Sequence, residues 1–339
     1  MQFKEFLAKY QRTAVVHFET DCPQNPVVSV LVQTFQHKDY IAACLDSVLR
    51  QKTAYPMEII VGDDDSTDGT REICREYARR HPTRIRLILH HRANNIRVNG
   101  KPTGRFNVLY GLFAARGRYV AICPGDDYWS DPAKLQTQID FLEQNQEFSG
   151  CFHNTQILNE KEEIIGTILD DSASERLGQR ELLDPGASIG HTSSLVFRRR
   201  SIEPLPSYLI AATYDRVIAF AVAEAGPWRG LKESMSVYRI HQGGVYSKVG
   251  MRTQLLTLAE MYSGLHSDRN NRRRYGTVLR KRLAHYYREI AGTYAGEGRY
   301  GGYLHYLWKY VTVSNLDLTL VKILIKEEML SRAGKPRIL

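Results

Sequence analysis

Two clusters of adjacent carboxylates are the residues best placed to do chemistry. Asp63, Asp64 and Asp65 lie in VGDDDSTDGT (61–70), and Asp126 and Asp127 lie in CPGDDYWSDPAKL (123–135). Each cluster follows a short apolar run, residues 57–61 in the first case and 119–123 in the second. In a parallel α/β sheet such runs are strands buried on both faces, and ligands bind at their carboxyl ends. An ionised carboxylate accepts hydrogen bonds from an imide N–H or a ribose hydroxyl. A carboxylate pair can instead hold a hard divalent cation against a diphosphate. One cluster of each kind suits a nucleotide–sugar site. For Asp65, Thr67 and Asp68 the simpler reading is preferred, that they cap the helix that follows.

The elements that must position these acids follow from periodicity. Residues 27–32 (VVSVLV) form a continuous apolar, β-branched run. Residues 39–51 then carry Ile41, Leu45, Val48 and Leu49 at helical spacing. The pattern continues as strand 57–61, helix 70–80, strand 84–89, a loop with Gly100, Pro102 and Gly104, helix 106–115 and strand 119–123. Strands alternating with helices imply right-handed βαβ units and a mostly parallel sheet. Asp131–Pro132 starts a further helix with Leu135, Ile139 and Leu142 facing inward. Beyond 150 the alternation blurs: 151–158 and 193–198 read as strands, 214–225 as a helix, and 237–246 as a strand entering a glycine-hinged loop. From about 252 the pattern is helical, broken at 296–302 and at 314–317.

Composition bounds the function. With 339 residues, 43% of them hydrophobic, the chain can bury a large core. No apolar stretch approaches the length that spans a bilayer, and residues 1–16 lack a signal-peptide core. The five cysteines are odd in number and form no CxxC, so neither a disulfide framework nor a zinc site is expected, and a cytoplasmic protein is. Net charge is +9, and residues 271–339 alone hold 14 Lys or Arg against 5 Asp or Glu. The rest of the chain therefore sums to zero. No nucleic-acid partner is expected, and the basic tail suggests peripheral contact with an anionic membrane at the inner face of the plasma membrane.

Five segments stand in order: VSVLVQTF (28–35), VGDDDSTDGT (61–70), GRFNVLYGLFAARGRYVAICPGDDYW (104–129), HTSSLVFRR (191–199) and MSVYRIHQGGVYS (235–247). On these the chain resembles the inverting glycosyltransferases of family 2, over residues 28–247. The resemblance implies a GT-A fold, a Rossmann-like sheet flanked by helices. The expected domains are an N-terminal extension (1–26), the GT-A domain (27–250) and a basic helical region (251–339). Two motifs depart from the family pattern. Its opening Pro-x-Tyr-Asn is Gln33, Thr34, Phe35 and Gln36 here, and its Asp-x-Asp is Pro124, Gly125 and Asp126, so the first acid is missing.

The resemblance implies a nucleotide site formed by Gln33, Thr34, Phe35, Asp63, Asp64, Arg105 and Asp126. It implies a Mn²⁺ or Mg²⁺ ion held by Asp126, Asp127 and His241, the last beside the Gly243–Gly244 hinge. Asp215, at the mouth of helix 214–225, fits the position of the family's catalytic base, with Glu203 as the next candidate. Trp129, His191, Thr192 and Ser193 would line the acceptor or sugar pocket. The expected reaction moves a sugar with inversion from a nucleotide-diphosphate donor, UDP-linked by preference, to a glycan or lipid-linked acceptor in bacterial surface polysaccharide synthesis. A sugar-phosphate nucleotidyltransferase or a methyltransferase would need a glycine-rich loop after the first strand, and QTFQHKDY (33–40) has none. The non-enzyme alternative is a nucleotide-sugar-binding or scaffolding protein without turnover, motivated by Pro124.

Overall fold

The chain opens with two elements that the hydrophobic pattern does not announce, helix α1 (Phe3–Tyr10) and the two-residue strand β1 (Val16–His17). In α1 only Phe6 is fully buried, its ring 5.1 Å from Phe106 and 5.4 Å from Phe113. One anchoring ring is too little periodicity to read from sequence. The computed structural model describes residues 1–98, 101–170, 173, 175–210, 215–241, 243 and 250–314. The chain divides into two units, residues 1–248 and 249–339.

In the first unit the apolar runs become strands and the periodic stretches become helices. They are β2 (Val28–Thr34), α2 (Ile41–Leu49), β3 (Met57–Asp63), α3 (Thr70–Arg80), β4 (Ile85–Leu89), a small hairpin of β5 (Arg97–Val98) and β6 (Lys101–Pro102), α4 (Arg105–Ala114) and β7 (Tyr119–Ile122). There follow β8 (Tyr128–Trp129), α5 (Lys134–Gln144), β9 (Gly150–Leu158), β10 (Ile164–Thr167), β11 (Arg176–Leu177), α6 (Gln179–Leu182), β12 (Val196–Arg198), α7 (Asp215–Val222) and β13 (Trp228–Arg239). Among the described residues the main sheet runs β1-β4-β3-β2-β7-β12-β9-β13-β11. Strands β4, β3, β2 and β7 are mutually parallel, so their carboxyl ends share one edge. Beyond β7 the sheet is mixed. Strand β12 lies antiparallel between β7 and β9, and β13 returns parallel to β9.

Two boundaries in the mixed half differ from the sequence reading. The strand expected from 193 starts at Val196, because His191 caps a 3₁₀ turn over Thr192–Ser194 by accepting from the Ser193 N–H. Strand β13 starts at Trp228 rather than 237. Its early part carries Lys232 and Glu233 and two register shifts against β9, which erase the alternation.

The opposite edge of the parallel half is tied by a buried ion pair. Glu58, fully buried in β3, accepts from Arg86 Nη1 at 2.6 Å, Ser29 Oγ at 2.6 Å and the Arg116 N–H at 2.8 Å. The turn it holds needs Gly117, where a Cβ would sit 2.5 Å from Ser29 N and 2.7 Å from Val28 C. Those contacts are backbone and cannot swing aside. Gly117→Ala is therefore expected to destabilise the protein by about 1–3 kcal/mol, read as a lowered Tm or urea midpoint. All five cysteines are free and buried.

The second unit, as far as it is described, is helical: α8 (Met251–Ser267), α9 (Arg269–Gly296) and α10 (Tyr300–Ser314). Asp268 starts α9 by accepting from the Asn270 and Asn271 N–H groups, each at 2.9 Å. The helices meet through tyrosines, Tyr262 on Tyr286 at 5.5 Å and Tyr294 on Tyr306 at 5.8 Å between ring centres. Among the described residues no helix is long and apolar enough to cross a membrane.

Candidate active site

Asp64 is buried with only one of its two carboxylate oxygens partnered among the described residues. It stands one residue past the end of β3 and is 2% exposed. Its Oδ2 accepts from Arg92 Nη1 at 2.8 Å and Asn95 Nδ2 at 3.1 Å, while the buried Oδ1 has no partner among the described residues. Burial pushes the Asp64 carboxyl up to about 6, against the opposing pull of Arg92. The Arg92 guanidinium also lies over the Phe35 ring at 4.1 Å, so an aromatic from the end of β2 and an acid from the end of β3 share one cation. Thr34 Oγ1, at the end of β2, is likewise buried without a partner among the described residues.

Asp63 is used differently. It is fully buried, pairs with Arg71 Nε at 2.5 Å and accepts from the Ser66 N–H, leaving it closed to a ligand in this conformation. Arg71 continues to the His90 carbonyl at 2.8 Å, tying β3 to the chain after β4. The turns after β2 and β3 each hold a non-glycine residue at positive φ, Gln36 at 56° and Asp65 at 68°. Backbone of that kind persists only where its surroundings over-determine it. Gln33 is half-buried, and Arg105 is 5% exposed with Nη1 donating to the Ile210 carbonyl at 3.2 Å. That bond uses one of the five N–H donors of the guanidinium.

At the end of β7 the two acids point to different neighbours. Asp126 Oδ2 lies 3.2 Å from His241 Nε2 and 3.7 Å from His37 Nε2, and its side chain is 21% exposed. Burial pushes this carboxyl up, but the His241 hydrogen bond and the His37 charge outweigh it, and its pKa lies below the usual value. Asp127 is 1% exposed and accepts from the Arg239 N–H at 3.1 Å, with His191 Nδ1 at 3.5 Å from its Oδ2. Burial and the adjacent Asp126 charge hold the Asp127 carboxyl well above the ordinary range. The two acids are thus shifted in opposite directions by their surroundings. The turn is closed by Gly125, where a Cβ would sit 2.8 Å from the Thr34 side chain. Arg239 fastens the His241 segment over it, with Nη1 donating to the Asp126 carbonyl at 2.9 Å and its guanidinium 4.4 Å from the Tyr128 ring.

The residues expected at an acceptor or sugar pocket divide into partly exposed ones and ones inside the core. Trp129 is 2% exposed, donates Nε1–H to the Ser193 carbonyl at 2.9 Å and packs against Lys134 Nζ at 4.1 Å, so it is a support and not an open platform. Ser193 is fully buried between His191 and the Ser236 hydroxyl. His191 is half-buried, stacks 4.5 Å from Tyr238, and feels the charges of both Asp215 and Asp126. Its burial outweighs both and lowers its pKa, which favours the neutral ring. Asp215 opens α7 half-buried and accepts from Thr192 Oγ1 at 3.2 Å. Glu203, in contrast, is bonded to Arg199, whose Nε donates to the Gly117 carbonyl ahead of β7, at the edge away from Asp126.

Among the described residues no group of three or more His, Cys, Asp and Glu side chains is arranged to hold a metal. Asp126, after β7, and His241, after β13, nevertheless offer one hard oxygen and one imidazole 3.2 Å apart. That suits an ion which takes few protein ligands and most of its coordination from substrate phosphates. Asp127 does not join them. Sequence reasoning missed His37, Arg92 and Asn95. The signal for the last two was position, since HHRANN (90–95) directly follows a parallel strand.

The sequence profile of glycosyl transferase family 2 matches residues 29–205, more than half of the chain. An uncharacterised protein of Mycobacterium tuberculosis is 35% identical over 224 residues, 65% of this chain and 60% of that protein, so the chain spans less than two thirds of that relative. TuaG of Bacillus subtilis, provisionally named a teichuronic acid biosynthesis glycosyltransferase, is 36% identical over 117 residues, 34% of this chain and 42% of that one. Among solved structures, Staphylococcus aureus TarS residues 1–349 in complex with UDP-GlcNAc superposes with a TM-score of 0.53 at 14% identity, covering 85% of this chain and 92% of that one. The Pyrobaculum calidifontis mannosyltransferase PcManGT in complex with GDP-Man and Mn²⁺ gives 0.51 at 19% identity, covering 92% and 78%. Those two likenesses establish the GT-A fold. With a profile match across the sheet strands that carry Asp64 and Asp126, the chain belongs to glycosyl transferase family 2.

Proposed function

We propose that the protein is an inverting glycosyltransferase using a nucleotide-diphosphate sugar, UDP-linked by preference, and a hydroxyl acceptor on a glycan or lipid-linked carrier of a bacterial surface polysaccharide. The observation that carries the donor reading is the buried, unpartnered Oδ1 of Asp64 beside the Phe35–Arg92 stack. An imide N–H would satisfy that oxygen while the base lies against the aromatic and its guanidinium. The acceptor reading is supported by the teichuronic acid name that TuaG carries. The net charge of the C-terminal region supports a peripheral membrane location.

In this mechanism the diphosphate lies at the β7 end, where Asp126 and His241 would hold Mn²⁺ or Mg²⁺. The ion's contribution is to offset charge on the departing diphosphate. Asp127, accepting from the Arg239 N–H, fixes the turn that presents Asp126. Asp215 accepts the proton of the acceptor hydroxyl as its oxygen forms the new bond to the anomeric carbon. The bond from that carbon to the diphosphate breaks on the opposite face, which inverts the centre. Thr192 holds the Asp215 carboxylate in place. Incubating the protein with UDP-sugars and Mn²⁺, with and without acceptor, tests the reading. Binding without any donor hydrolysis or transfer would favour the inactive binding protein, and a retained anomeric configuration would overturn the displacement.

The Asp64 assignment makes its own prediction. Asp64→Asn sets an amide against the Arg92 and Asn95 donors and removes the charged acceptor. UDP affinity should fall roughly 10- to 100-fold, the effect of losing about 1.5–3 kcal/mol in charge-assisted hydrogen bonding. Because the wild-type carboxyl titrates at about 6, the acceptor form is present above that pH and is lost below it. Calorimetric UDP affinity should therefore weaken as pH falls through 6, and Asp64→Asn should flatten that dependence.

A further inference from the structure

The outer face of α10 presents Tyr300, Leu304 and Trp308, which are 59%, 48% and 58% exposed. Their four-residue spacing places them in one row along the helix. The opposite face is also apolar: Leu307 and Val311 are buried, and the Tyr306 ring lies against Tyr294 and Tyr287 of α9. A helix apolar on both sides in a water-facing unit is unusual, although single exposed apolar residues are not. Residues 300–314 contain no Asp or Glu. The partner helix α9 carries eight Lys or Arg against one Glu, and Arg272, Arg273, Arg280 and Lys281 are exposed.

We propose that the Tyr300–Leu304–Trp308 face of α10 is a docking surface for an anionic lipid bilayer, with the basic residues of α9 against lipid phosphates. Aromatic rings at the headgroup level and basic residues beside them are what an interfacial helix uses. Charge argues against a second copy of the chain as the occupant. Pairing two α10 faces would bring two α9 helices together, each with a net charge of +7 from its eight basic residues and one acid. The inference deepens the peripheral-membrane reading above by naming the contact, and it is independent of the chemistry at Asp126 and Asp215.

The full-length protein carries its own probe. Trp129 and Trp228 are 2% and 0% exposed, so of the three tryptophans only Trp308 can report a change at the surface. Vesicles of phosphatidylglycerol and phosphatidylcholine should shift the emission to the blue and co-sediment the protein, with both effects weakening as salt rises. Trp308→Phe should still sediment and lose the spectral response. Leu304→Ser with Trp308→Ser should weaken vesicle binding by about tenfold or more, given that each buried methylene of an anchor contributes to partitioning. UDP affinity, measured on the same samples, should be unchanged. Emission that ignores anionic vesicles at low salt overturns the proposal, and so does an equal response to pure phosphatidylcholine. An emission already blue without lipid, with a mass that rises with concentration, would identify a second copy as the occupant instead. Loss of UDP binding in wild type would count against the transferase site and not against this face.

Discussion

Asp126→Asn is expected to lower sugar transfer by roughly a thousandfold, about 4 kcal/mol of transition-state stabilisation. The substitution keeps the size of the side chain and removes the charge of the carboxylate that lies against His241 and His37. It also spares the local structure, because Arg239 Nη1 bonds the Asp126 backbone carbonyl and the Arg239 N–H goes to Asp127. Far-UV circular dichroism and Tm should therefore stay close to wild type while the Mn²⁺-dependent thermal shift with UDP disappears. Release of UDP from donor is the direct assay. Activity within tenfold of wild type, or wild-type activity indifferent to EDTA, would remove Asp126 from the metal role and leave the family assignment untouched.

Asp215→Asn is the second large effect. The amide can still accept from Thr192 and so preserves the start of α7, but it cannot take a proton. Turnover should drop about 10²- to 10⁴-fold, the range that positioned general bases contribute. UDP affinity should hold, since the proposed role places this carboxylate on the acceptor side. The separation matters: a fall in kcat with unchanged UDP binding is the signature of a base, whereas a joint loss would point to damage at α7. Near-normal turnover would falsify the assignment, and Glu203 would not inherit the role. Its bond to Arg199, which holds the Gly117 carbonyl, keeps it at the far edge of the sheet.

The parallel half of the fold was legible because its signals are local. Residues 28–32 and 57–61 are buried and read as largely apolar runs, and helix 70–80 matched its periodicity to the residue. Strands β12 and β13 were harder, because a histidine-capped turn and two register shifts depend on tertiary partners that no window of sequence contains. The site divides along the same line. That acids stand at the ends of β3 and β7 follows from position alone. Which acid of each pair faces a ligand does not, because it depends on cations brought in from elsewhere: Arg71 to Asp63, Arg92 to Asp64, and His37 and His241 to Asp126. Trp129 and Ser193 illustrate the same limit. Their types suit a sugar pocket, yet the hydrogen bond between them places both inside the core.

The Glu58–Arg86 pair bears on how this sequence can drift over evolutionary time. Losing Glu58 alone would leave the Arg86 guanidinium without its carboxylate, with Nη1 still donating to the Ala114 carbonyl, and losing Arg86 alone would leave a buried carboxylate without its cation. Either first step passes through a poorly folding intermediate, although an apolar pair of similar volume at both positions can be as stable as the ions it replaces. Lineages are therefore held at this pair by the route and not by the destination. Positions 58 and 86 should vary in concert among descendants, while Ser29, satisfied by the same carboxylate, should follow whichever state they adopt.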